Sequence, residues 1–219
     1  PHYTSMGYGL TTEYDISGNL YNGTKLGAHA YSSDTPNYGV STVFNGSNTR
    51  INCSYAFNVQ GALNLRFSCW ANANDYTSSA YKYFLSSQQS GGILLGYHSG
   101  TTARGRVHAY TKASLSSSGY IDADCEIALT GWHMFTCTYD TTAIKLYIDG
   151  ELKTTNTTKT YGVHFNTSAY MFIGAESTGT GSSNCYAGKL SDVRIYYTTL
   201  TSDQVMDLYL ATKHVLTIS

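Results

Sequence analysis

Apolar and polar residues alternate along much of the chain. Leu63, Leu65, Phe67 and Cys69 alternate with Asn64, Arg66, Ser68 and Trp70. Ile144, Leu146 and Ile148 alternate with Lys145, Tyr147 and Asp149, and Ile51, Cys53 and Tyr55 repeat the pattern over a shorter run. Successive side chains of a strand point to opposite faces, so each run predicts a strand with one face on a core. Further apolar runs lie at 81–85, 93–97, 132–139, 170–174 and 193–197, separated by clusters of Gly, Asn, Ser and Thr. Asp149-Gly150 sits between two such runs and predicts a tight hairpin. Thr201 precedes Gln204 at capping-box spacing, with Val205, Met206, Leu208 and Tyr209 following, which predicts one short helix. The Ser/Thr/Gly run from Ser177 to Ser183 reads as an exposed loop. Many strands and one late helix predict an all-β sandwich or jelly roll. With no internal repeat and no linker-like stretch, residues 1–219 read as a single domain.

Composition narrows the function. Only 12% of residues are charged and the net charge is -1, so no phosphate-tracking surface is expected and nucleic acid is excluded as a partner. The 21 tyrosines outnumber 7 phenylalanines and 2 tryptophans. A tyrosine ring with its polar tip suits a strand surface or a wet binding face. Cys53, Cys69, Cys125, Cys137 and Cys185 are odd in number and lack CxxC spacing, so free buried thiols are expected and point to synthesis in a reducing cytosol. No apolar run approaches membrane-spanning length, so no membrane insertion is expected. The start at Pro1 reads as a domain excised from a longer chain or a processed chain.

The ordered motifs then resemble a known family. Gly131-Trp132-His133 running to Tyr139-Asp140, followed by Ile144 to Asp149-Gly150, is similar to the central hairpin of laminin-G-like jelly rolls. Phe172-Ile173-Gly174-Ala175 and Tyr186 through Tyr196 resemble their closing strands. Asp15 through Thr24 and Phe44-Asn45-Gly46 resemble their opening. The resemblance runs from Tyr14 to Tyr209. It implies a concanavalin A-like jelly-roll sandwich of two antiparallel sheets with a short C-terminal helix. The residues themselves read the same way: Trp132 as a core filler at a strand start and Asp192 as an acceptor of nearby backbone hydrogen bonds that orders the last hairpin. Within the family, the opening segment, with Ser33-Asp34-Thr35-Pro36 and Val40-Ser41-Thr42, looks most like bacteriophage structural proteins.

Function is expected to be non-catalytic carbohydrate binding: a receptor-binding domain of a phage virion protein, made in the bacterial cytosol and displayed on the virion surface. A secreted or cell-surface location is the alternative. Expected partners are host-surface carbohydrate or other virion proteins, with room for a homo-oligomer. Aromatics outside the core register, Trp70, Tyr81 and Tyr83, together with Arg66, are the candidate sugar-binding residues. No cofactor is required, though Asp15, Asn19, Asp34 and Asp192 offer oxygens to a structural calcium. A structural role in virion decoration or assembly is the first alternative. The second is a glycoside hydrolase using Asp122, Asp124 and Glu126. These share one strand face like the Glu-x-Asp-x-Glu of related glucanases, but Asp122 departs from that pattern.

Overall fold

The computed structural model describes residues 2–3, 11–17, 21–37, 39–53, 61–77, 80–87, 92–99, 102–110, 119–158, 162–164, 170–178 and 181–213. In chain order the strands begin with β1 (His2–Tyr3), β2 (Thr12–Glu13), β3 (Gly23–Leu26), β4 (Ala30–Ser32), β5 (Ser41–Asn45) and β6 (Arg50–Asn52). They continue with β7 (Leu65–Ala73), β8 (Lys82–Ser86), β9 (Ile93–Ser99), β10 (Ala103–Tyr110), β11 (Tyr120–Glu126) and β12 (His133–Tyr139). The last are β13 (Ile144–Ile148), β14 (Glu151–Asn156), β15 (Phe172–Ile173), β16 (Glu176–Thr178), β17 (Gly181–Ser183) and β18 (Ala187–Tyr196), before the helix α1 (Ser202–Thr212).

Two antiparallel sheets form the sandwich. The first runs β14-β13-β12-β7-β18-β5-β4, with β1 also paired to β18, and the second runs β11-β10-β9-β8-β15-β6-β3-β2. The alternation read from the sequence decides which face is buried. Leu65, Phe67, Cys69 and Ala71 on β7, and Ile144, Leu146 and Ile148 on β13, enter the core from the first sheet. Ile93, Leu95 and Tyr97 on β9, Val107 and Ala109 on β10, and Ile121 and Ala123 on β11 meet them from the second. Tyr97, Phe84, Phe135 and Tyr186 pack at its centre, with the Phe84 and Phe135 rings 4.8 Å apart. None of the five cysteines is in a disulfide, and all but Cys125 are buried.

Local signals produce the expected turns. Asp149 and Gly150 both take positive φ, 54° and 83°, closing the β13–β14 hairpin with the backbone twist such turns need. Thr201 caps α1 in a complete capping box with Gln204. Two expectations need correction. The segment from Ser177 to Ser183 is not simply a loop, because β16 and β17 pair as a separate two-stranded ribbon. Trp132 is not a core filler: it is half-buried, and its Nε1 donates to Asp34 Oδ1 at 2.8 Å. Asp192 sits at φ 51° beside a register shift between Ser191 and Arg194, and accepts from Arg194 Nε at 2.7 Å. Among the described residues no helix is long and apolar enough to cross a membrane.

The helix α1 lies against the outer face of the first sheet. Tyr209 stacks on Trp70 at 5.5 Å, Trp70 Nε1 donates to Thr212 Oγ1 at 3.0 Å, and the Tyr147 hydroxyl lies 3.2 Å from Ser202 Oγ. The first sheet is thus covered on both sides at its centre, whereas on the outer face of the second sheet Tyr81, Arg104, Asp122, Asp124 and Glu126 remain partly exposed.

Candidate functional site

That outer face is written by the even-numbered positions of three strands. On β10 these are Arg104, Arg106, His108 and Tyr110, opposite Glu126, Asp124, Asp122 and Tyr120 of β11. On β9 they are His98, Gly96 and Leu94, opposite Arg104, Arg106 and His108. Gly96 also faces Tyr83 of β8. A Cβ at Gly96 would lie 2.9 Å from Tyr83 Cδ1, so the bare glycine is what lets the Tyr83 ring lie over β9.

Aromatic rings and charges meet here. The Tyr81 and Tyr83 rings stack at 6.0 Å and 20°, with His98 4.9 Å from Tyr81 on its other contact. Tyr83 is buried, whereas Tyr81 is 41% exposed and offers its ring to solvent. The Arg106 guanidinium carbon lies 5.9 Å from the Tyr81 ring centre. Arg106 Nη2 donates to Asp122 Oδ2 at 3.1 Å, and Arg104 Nε to Asp124 Oδ2 at 2.6 Å. Arg104 Nη1 is also 3.6 Å from Glu126 Oε1. Arg104 thereby holds the Asp124 carboxyl below its ordinary range. Burial and the charge on Arg106 lower the pKa of His98. Glu176 of β16 adds a buried carboxylate, accepting from Ser183 Oγ at 2.7 Å and Asn184 Nδ2 at 2.5 Å. Burial first, then Glu176, pushes the Tyr83 phenol up.

His108 marks the far end of the face. It is 2% exposed, stacks on Tyr120 at 4.4 Å and meets Tyr110 edge-on at 4.8 Å. Among the described residues neither ring nitrogen has a hydrogen-bond partner, and neither does Arg106 Nε. Burial, with Arg106 adding to it, drives the His108 pKa from 6.5 down to about 3. The unfolded chain takes up this proton near the ordinary value and the folded one does not, so stability falls as pH drops between those two values. The loss is expected to reach on the order of 2 kcal/mol near about pH 5. Thermal melts across this range should show the slope, and His108→Phe should flatten it; an unchanged slope would contradict the assignment.

The sequence-level candidates separate. Tyr81 and Tyr83 belong to this face. Arg66 is on the first sheet, paired with Thr138 and Tyr196, its guanidinium 4.1 Å above the Tyr196 ring. Trp70 is 3% exposed beneath α1 and Tyr83 2% exposed beneath Tyr81, so neither is an open platform, and the four residues do not form one site. Asp122, Asp124 and Glu126 do share a face, as their spacing requires, but with arginine partners. Of the candidate calcium ligands, Asp15 accepts from Ser17 N and Ser17 Oγ at 2.8 Å and from Tyr21 N at 3.0 Å. Asp34 pairs with Lys189 Nζ at 2.6 Å, Asp192 pairs with Arg194, and Asn19 lies outside the described residues. Among the described residues no three acidic, histidine or cysteine side chains gather around a metal-sized site.

A separate cavity of about 530 Å³ opens between the end of β11, the β13–β14 turn and α1. Ile127, Leu129, Ile148 and Met206 line it, with Glu151 and Lys153 also contributing. Its aromatic is Tyr209, whose ring is already stacked on Trp70.

A laminin-G-type family model described as the concanavalin A-like lectin/glucanases superfamily matches residues 45–206. The chain belongs to this superfamily. No curated protein matches it by sequence. Among solved structures, this concanavalin A-like domain is similar to domain 4 of AbnA, a GH43 extracellular arabinanase from Geobacillus stearothermophilus in complex with arabinotriose. The identity there is 21% and the TM-score 0.71, covering 95% of this chain and 96% of the other. It is also similar to the botulinum neurotoxin serotype C1 binding domain, at 16% identity and TM-score 0.71. That match covers 96% of this chain and 51% of the toxin chain, so the domain spans about half of that neighbour. A structure reported for the ganglioside-dependent cell entry of botulinum neurotoxin type C matches at 16% identity and TM-score 0.72, over 97% of this chain and 51% of that one.

Proposed function

We propose that this domain is a non-catalytic carbohydrate-binding module whose sugar site is the outer face of β8–β11. The observation that carries the reading is the exposed Tyr81 ring, held flat on Tyr83 and flanked by His98, Arg106 and the Arg–Asp pairs. Sugars need that combination, an aromatic face for the C–H side of the ring and fixed polar groups for the hydroxyls. A structural neighbour supports it: the arabinanase domain is described in complex with arabinotriose. In the same proposal the domain mediates adhesion to host-surface glycan as part of a bacteriophage virion protein. The support for that setting is the likeness of the opening segment to phage structural proteins.

The carboxylate strand supports the non-catalytic reading. Glycoside hydrolysis needs one carboxyl kept protonated as the acid, through burial or a neighbouring negative charge. Here Arg104 and Arg106 sit against Asp124 and Asp122, and Asp124 is held ionised.

Tyr81→Ala is expected to weaken glycan affinity by about 30-fold, the cost of removing an aromatic anchor. Its melting temperature should stay near wild type, because the ring is largely outside the core. Isothermal titration against the best ligand from a glycan array measures this; undiminished affinity in the variant would reject the site.

A further inference from the structure

The geometry points to an uncharged ligand: the β8–β11 face selects neutral sugars and rejects glycans bearing uronic or sialic acid. This rests on the carbohydrate reading of the face and specifies what that face accepts. Among the described residues the face carries Asp122, Asp124 and Glu126 from β11 and Glu176 from β16, against Arg104 and Arg106 from β10. The acids therefore outnumber the fixed cations.

Both arginines are also committed. Arg104 is shared between Asp124 and Glu126, at 2.6 and 3.6 Å. Arg106 is held by Asp122 at 3.1 Å. A sugar carboxylate could recruit either arginine only by displacing an aspartate, which would leave that aspartate unpaired beside the incoming charge. His98 does not supply the missing cation, since burial and Arg106 both disfavour its protonation.

What the face does offer suits hydroxyl groups. The paired carboxylates retain free lone pairs for hydroxyl donors. Fixed Arg–Asp pairs of this kind present donors and acceptors side by side, which is what a neutral polyol needs. An anion meets repulsion worth about tenfold or more in affinity at the effective dielectric of a protein surface.

The test uses the whole domain and matched probes: lactose against sialyllactose, and galactan against polygalacturonate, within a broad glycan array and then by titration. The expected result is binding to neutral members about tenfold or more tighter than to their acidic counterparts, with the gap narrowing at high salt. The double variant Asp124→Asn, Glu126→Gln should narrow the gap further, and its melting curve shows whether it folds. Equal or tighter binding of the acidic members to the wild-type domain would overturn this inference while leaving the carbohydrate site standing. Binding to no glycan at all would remove the carbohydrate reading, and this inference with it.

Discussion

Trp70→Ala is expected to destabilise the domain by about 3–5 kcal/mol, the range for emptying a large buried aromatic site. Trp70 is 3% exposed, its ring stacks on Tyr209 at 5.5 Å, and its Nε1 donates to Thr212 Oγ1 at 3.0 Å. Truncation opens a void between β7 and α1 and releases the last turn of the helix, where Thr212 also reaches Met134 Sδ. Urea or thermal unfolding gives the loss directly. Glycan affinity, measured where the variant is still folded, should be unchanged. The pair of readouts matters because a sugar-binding Trp70 would produce the reverse: normal stability and lost binding. Trp70→Phe keeps the stacking and loses mainly the indole hydrogen bond, so it should cost only about 1 kcal/mol or slightly more.

Gly96→Ala should act on fold and function together. The added Cβ would sit 2.2 Å from the Lys82 carbonyl oxygen and 2.9 Å from Tyr83 Cδ1. A side chain can swing away, but a neighbouring strand's carbonyl cannot, so β8 must shift where its register with β9 already breaks, between Tyr83 and Leu85. Overpacking of this kind costs about 1–3 kcal/mol or more. Because Tyr83 supports Tyr81, the platform moves with it, and glycan affinity is expected to fall at least as far as in Tyr81→Ala. Melting curves report the first effect and titration at a temperature where the variant is folded reports the second. Wild-type affinity in a folded Gly96→Ala protein would place the ligand elsewhere.

The parts legible in the sequence are those set by neighbours along the chain. The alternation from Leu63 to Cys69 correctly assigns Leu65, Phe67 and Cys69 to the core and Trp70 to the other face, but Leu63 lies ahead of β7 and is exposed. Asp149-Gly150 and the Thr201–Gln204 box act within a few residues of themselves and form as expected. What alternation cannot show is what covers the other face. Trp70 is buried by a residue 142 positions away, so its burial is a fact of tertiary packing alone. The same limit divides the site. The shared face of Asp122, Asp124 and Glu126 follows from spacing, but their arginines lie on another strand, and only the β10–β11 register sets Arg106 and Arg104 beside them. One signal was available: Arg104, Arg106, His108 and Tyr110 alternate with Gly105, Val107 and Ala109, a strand with a polar, basic and aromatic outer face. Gly96 carried no such signal, because its meaning depends on Tyr83 lying across it.

Sugar held on the outer face of β8–β11 would register in the amide chemical shifts of that face. A 15N-labelled domain would be titrated with the tightest-binding neutral oligosaccharide from the array. Perturbations concentrated at Tyr81, Tyr83, Gly96, His98, Arg104 and Arg106 are expected. Perturbations gathered instead around Ile127, Glu151 and Met206, at the cavity beside α1, would contradict binding on that face.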